Sequence, residues 1–550
     1  MLFRSLVGRS VVERTFKDFT GIVILFYFEI VDTVDYFKVE QYDNAREILE
    51  RTLNDGSTDK ATAYYYLGQI ALFNNDQATA QDYFNKGISA DSKNGLNYVG
   101  MGALALKQGN AAEAKNQFKA AVKADKSAET NVAVARAYFN ADPVLYAKEY
   151  EDYMKDASKR DKSCPDIYVM QGDKYLAEKQ IGDAAAAYEN AIFYTGNNVK
   201  PEAYVKYANA YVHANPKLTV SKLEELLEKM PNSALAQREY AEKLYETDHW
   251  SDAAVEYGKY MKNPNHFIQD EERYVALLYF GKKYAQSYKL AGEILAKNPE
   301  SFQMRRMRFL NQVDMGHNAA AMERAKEFFA MTPPANNRFT SNDYTQYARL
   351  LNKMDREDEA LPYFEKAVET NPDKADAYRD LADAYYKAKN YEGAVANQEK
   401  YMAAGESDYY DYYTISGYYM THMSKMEAEA PERAEIAKKA IAAIDSSLVV
   451  KGEDPRYQQR KARILIVANN NEVPEEAVQV YNVILEQLNK DPENLEKYVN
   501  LYKESYQMIA GYYHKNKDFA KAVEYYEKML ELDPENEALK KYVDNLRKRI

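Results

Sequence analysis

Residues Ala61 to Asn94 read ATAYYYLGQIALFNNDQATAQDYFNKGISADSKN, and the stretch that follows, Gly95 to Ala128, reads GLNYVGMGALALKQGNAAEAKNQFKAAVKADKSA. Set one above the other, Tyr64 meets Tyr98, Leu67 meets Met101, Gly68 meets Gly102, Ala80 meets Ala114 and Phe84 meets Phe118, all at an offset of 34. Each copy holds two amphipathic runs of helical period separated by a polar loop, which predicts a helical hairpin. The small residues at the eighth and twentieth places have a mechanical reason. Where two helices cross at close range, a large side chain would hold the backbones apart, so Gly or Ala stands at the contact and an aromatic ring fills the space beside it.

The pattern extends in both directions. Clear copies begin at Ala375 (Tyr378, Leu381, Ala382, Tyr385, Ala394) and Lys503 (Tyr506, Ile509, Ala510, Tyr513, Ala522, Tyr526, Pro534). Further copies begin near Pro165, Lys200, Ala234, Ile268 and Ser341, and a first copy near Phe26 keeps its second helix through Ala45 and Leu49. Four places depart from the pattern. An irregular connection is expected from Asp142-Pro143 to Pro165, Arg305 and Arg308 stand where apolar residues belong, and insertions are expected between Thr421 and Pro431 and from Asp445 to Pro455.

These residues resemble the tetratricopeptide repeat family, which has an aromatic or Leu at place 4, Leu at 7, Gly or Ala at 8, Tyr at 11, Ala at 20, an aromatic at 24, Ala at 27 and Pro at 32. The resemblance implies an all-α fold: a right-handed superhelical solenoid of about 14 stacked helix-turn-helix repeats, in which each hairpin buries the apolar stripe of the next. Residues 26–536 would form the array, with bends near 333–342 and 446–455. Residues 537–550 would be a capping helix, its Lys- and Arg-rich outer face covering the end of the stack. The Ala-, Tyr- and Lys-rich repeats are most similar to those of bacterial proteins of Bacteroides-like organisms.

Composition narrows the function. Of 550 residues, 46% are apolar and 29% charged, and 73 Lys plus Arg stand against 85 Asp plus Glu, for a net charge of −12. Such a chain repels a phosphate backbone, so nucleic acid is not an expected partner. The single cysteine, Cys164, can make neither an internal disulfide nor a cysteine-based zinc cage. The six histidines lack metal-binding spacing, and no phosphate loop or nucleophile elbow occurs, so no metal, cofactor or catalytic residue is expected. Carboxylate runs such as Asp270-Glu271-Glu272 are better explained as solvated helix faces than as acid and base pairs.

The longest apolar run near the start, Gly21 to Phe28, is far shorter than the roughly 20 residues of a membrane-spanning helix, and no integral membrane segment is expected. Residues 1–25 match no repeat and are expected to be a non-native start. The location would then be the cell envelope or periplasm, and otherwise the cytoplasm.

In the family the first helix of each pair lines the concave groove, with places 2, 5, 9 and 12 pointing into it. Here those places supply Tyr65, Leu72, Leu96, Val99 and Leu106 in the N-terminal half, an apolar lining. In the C-terminal half they supply Arg349, Arg379, Tyr386, Tyr410 and Tyr413, a polar and aromatic lining suited to an extended chain. The competing explanation is that such residues touch one another across a tight superhelix. The Lys, Arg and Asn set by which some relatives hold a C-terminal carboxylate is missing, since Asn209 is accompanied by Val205 and Glu239. The expectation is a non-enzymatic scaffold or adaptor for protein partners. The alternatives are a regulatory arm for an enzyme on a separate chain and a cell-wall glycan binder using its tyrosines.

Overall fold

The computed structural model describes residues 34–53, 59–405, 407–452, 454–491 and 493–550. The readings made for residues 1–25 lie outside them. Among the described residues the regular structure is helical, and it forms thirteen complete helix pairs from Lys60–Phe73 with Gln77–Ala90 to Val499–Lys515 with Phe519–Leu532. Tyr42–Thr52 precedes them and Glu537–Arg547 follows. The described residues divide into two compact units, the first ending at Met307 and the second beginning at Arg308.

The hairpin contact has the form the small residues demand. A methyl group built on Gly68 would run into the ring of Phe84, one on Gly102 into Phe118, and one on Gly172 into Tyr188. At place 20, Ala80, Ala114, Ala184, Ala253, Ala321, Ala360, Ala394 and Ala522 are all fully buried. The turn between the two helices is equally regular. Place 15 is left-handed in repeat after repeat, at Asn75, Gly109, Lys179, Asp248, Lys282, Gly316, Asp355, Lys389 and Lys517, with φ between 55° and 76°. Only two of these are glycine, so the hairpin geometry overrides a preference that would favour Gly. The next residue often caps the second helix: Asp76 accepts from the Thr79 amide at 3.1 Å, Asn110 from Glu113 at 3.1 Å and Asn390 from Gly393 at 2.9 Å.

The departures resolve differently from their sequence reading. The stretch between Pro143 and Pro165 is not an irregular connection, because it holds the helix Ala147–Arg160, which buries Tyr150, Met154 and Ala157. Its entry turn is tied by Asp142, which accepts from the amides of Val144 and Leu145 at 2.9 and 2.8 Å. Residues 445–451, read as the start of a loop, continue the long helix Pro431–Lys451. Arg305 keeps its guanidinium out of the core by donating to the Pro299 carbonyl at 2.9 Å. In the 333–342 stretch, Phe339 stacks on Phe329 at 5.0 Å, pinning the connection to the second unit's aromatic core. Cys164 is buried at the start of a helix, and burial pushes its thiol up to about 12, far from a reactive thiolate.

Candidate functional site

The first helices of successive pairs line up so that their inward residues face the next repeat, and most charged ones are paired there. In the first unit Arg273 grips Glu242 with hydrogen bonds of 3.0, 3.2 and 2.6 Å, Asn97 donates to the Ala61 carbonyl at 2.9 Å, and Lys107 to the Leu72 carbonyl at 2.8 Å. In the second unit Arg349 spans both oxygens of Asp380 at 3.1 and 2.8 Å. These partners stand 31 to 36 residues apart, one repeat period, so they staple each hairpin to the next.

Of the candidate residues in the first unit, Val99 is 1% exposed and packs with Phe118 and Val134, while Leu72 and Leu106 are buried in inter-repeat clusters. Leu96 is half-buried. So is Tyr65, whose ring meets Tyr66 edge-on at 5.0 Å and whose hydroxyl is pushed up to about 12 by burial. The inner positions of residues 165–212 are not solely apolar. Asp166, Asp173, Glu202 and Lys206 share them, and Asp173 lies 2.5 Å from Arg136 and 2.9 Å from Lys206 while accepting from the Tyr188 hydroxyl at 2.9 Å. Burial works against its charge, but the two cations hold its carboxyl down at about 2.

In the second unit Arg379 pairs with Asp376 at 3.2 Å and lies 5.1 Å over the Tyr401 ring. Tyr386 stacks on Tyr418 at 4.7 Å and bonds Thr421 at 3.1 Å. The Tyr413 ring is covered by the Arg460 guanidinium at 4.5 Å and by Tyr457 at 4.6 Å, whereas Tyr410 is 61% exposed. A sugar ring would therefore find a free face at Tyr410 but not at Tyr413.

Farther along the same face is a hollow of about 510 Å³ whose walls include Met420, Ile466 and Met508 beside Arg463 and Glu504. Arg463 holds Glu504 through two hydrogen bonds, 2.9 and 2.5 Å, and Tyr481 and Gln459 donate to the same carboxylate at 3.0 and 2.7 Å. Burial opposes the charge of Glu504, yet those hydrogen bonds keep its pKa below the ordinary value. The sequence reading missed this site. Glu504 and Gln507 occupy places 2 and 5 of the copy from Lys503 and could have been found by position, but Arg463 and Ile466 lie in a repeat masked by the insertions around it. Among the described residues no group of His, Cys, Asp and Glu is arranged to hold a metal, and no helix is long and apolar enough to cross a membrane.

Models of the tetratricopeptide repeat match residues 34–94, 351–396 and 503–536. The chain is a tetratricopeptide repeat protein. No curated protein sequence is detectably similar to it. Among solved structures, this tetratricopeptide repeat protein is similar to the C-terminal part of a repeat-containing protein of Cytophaga hutchinsonii, with 20% identity over 49% of this chain and 97% of that one at a TM-score of 0.38. It is also similar to a tetratricopeptide repeat protein of Parabacteroides merdae, with 16% identity over 47% of this chain and 99% of that one at 0.33. A third is the Cut9-Hcn1 hetero-tetramer of APC/C, with 12% identity over 82% and 98% at 0.34. Tetratricopeptide repeats commonly mediate protein-protein interaction, using the curved surfaces that stacked hairpins create.

Proposed function

We propose that this tetratricopeptide repeat protein is a non-enzymatic interaction scaffold, and that the inner face of its second unit holds a segment of a partner protein. The observation that carries the reading is the 510 Å³ hollow, where the half-buried side chains of Met420, Ile466 and Met508 surround a fixed ion pair. Apolar walls supply affinity through buried area. The Arg463–Glu504 pair, held on one side by Tyr481 and Gln459, gives the partner's backbone or side chains oriented donors and acceptors without needing to reorganise. Arg379 and Tyr410 extend the same lining toward the N-terminal end of the unit.

The test is photo-crosslinking from position 420 in the source cell, followed by calorimetry with the purified partner so identified. Ile466→Asp and Met508→Asp should each weaken binding about tenfold or more, as for anchors at the centre of an interface. Lys438→Glu, on the exposed side of the helix Pro431–Lys451, should leave it unchanged. Equal affinity for all three variants would overturn the reading.

A further inference from the structure

Nearly all side-chain contacts between repeats in the first unit join neighbours, but one set does not. Gln41 donates to Glu239 at 2.6 Å across 198 residues of sequence, and Gln269 donates to Glu47 at 3.1 Å across 222. Lys38 reaches Glu202 at 2.9 Å and Asp166 at 3.8 Å, and the Tyr36 ring packs edge-on against Phe267 at 5.2 Å. On the receiving side, Asp166 and Glu202 hold place 2 of their repeats, and Arg238, next to Glu239, holds place 5 of its own. These are inner-face positions. Residues 34–53 therefore lie against the groove side of residues 165–270, four to seven repeats downstream, and not only against their neighbour.

The fit is close. Tyr36 is 1% exposed, and the seam that it shares with Ile48, Arg51, His266 and Phe267 leaves a void of only about 20 Å³. Charge matches as well: Lys38 brings a cation to a pair of carboxylates, while Lys206 and Arg136 neutralise Asp173 alongside. Burial opposes the charge on Lys38, but Asp166 and Glu202 together raise its pKa well above the ordinary value, and Asp166 is lowered in turn, chiefly by Lys38. Neighbour-to-neighbour stacking does not require any of these contacts, since a solenoid is stable without them.

We propose that residues 34–53 are an intramolecular latch over the inner face of residues 165–270, so that this part of the groove is filled in cis and is reached by a lysine-bearing helical segment of a partner only when the latch lifts. The proposal goes beyond the reading of the second unit, and its test needs no partner, so the two fail separately. The cation is the key. Reversing its sign leaves Glu202 and Asp166 facing a like charge in a poorly solvated seam, which costs far more than losing an exposed pair.

Hydrogen-deuterium exchange on the full chain reads the latch directly, because local opening exposes only the amides that it covers. Lys38→Glu should speed exchange roughly tenfold or more within residues 34–53 and on the facing helices Pro201–Tyr211 and Ala234–Glu246. Peptides of the second unit should exchange as in the unmodified chain. Adding Glu202→Lys should restore slow exchange at both surfaces. Gln41→Ala, which removes the bond to Glu239 and the two that Gln41 accepts from Arg238 and Asn44 but leaves the charges intact, should give a smaller increase in the same two places, and it serves if Lys38→Glu does not fold. Unchanged exchange at residues 34–53 in a folded Lys38→Glu or in Gln41→Ala, or an increase spread evenly over the chain, would overturn the latch.

Discussion

At the scale of single residues, the hairpin depends on places where a side chain must be absent. Gly102 faces the Phe118 ring so closely that any Cβ collides with it. Gly102→Leu should cost about 1–3 kcal/mol through overpacking, seen as a lower thermal midpoint by circular dichroism. An unchanged midpoint would mean that the crossing is looser than this geometry. Asp173 makes a pH prediction. Its folded value of about 2 lies below its ordinary 3.8, so its contribution is fully present above the unfolded value and is lost as pH falls from about 4 through 2. The size is about 2 kcal/mol at neutral pH. Acid unfolding of Asp173→Asn should start from lower stability and show a shallower loss over that window. A parallel acid limb in the two proteins would contradict the pairing with Arg136 and Lys206.

At the scale of elements, the sequence shows the period and conceals the partners. Gly68 over Gly102 and Ala80 over Ala114 can be read by eye because the same contact recurs every 34 residues. The left-handed turn at place 15 was hidden, since Lys389 and Asp355 carry no sign of a conformation that hairpin closure imposes on them. The helix Ala147–Arg160 was hidden by Pro143, which sits in its entry turn and not in the helix. The staples were hidden for another reason: that Arg349 would choose Asp380 over a ligand depends on side-chain reach, which periodicity does not encode. The terminal helix Glu537–Arg547 packs Val543 and Leu546 on Val523, with Phe519 and Leu530 beside them. Deleting residues 537–550 should uncover that cluster and promote association, measured as a rise in mass by light scattering. A deletion variant whose mass does not rise above that of the full chain would remove the capping role.

At the scale of the whole molecule, two kinds of order coexist. Most of the chain is a succession of neighbours, so damage at one repeat should stay local. The contacts of Lys38 and Gln41 with residues 166–239 break that rule inside the first unit, and no pattern of period 34 could have announced them. The candidate site in the second unit was only partly legible for a related reason. Its polar lining at Arg379 and Tyr410 follows from place numbers, while Arg463 and Glu504 meet across an irregular repeat, 41 residues apart.

The central claim is that a partner segment lies along the inner face of the second unit. Hydrogen-deuterium exchange of the full chain with and without the crosslinked partner measures this most directly. The account predicts that protection concentrates on the inner helices Pro455–Ala468 and Val499–Lys515, with the outer helices Tyr391–Ala404 and Phe519–Leu532 unchanged. Protection confined to those outer helices, with the inner pair exchanging as in the free protein, would contradict it.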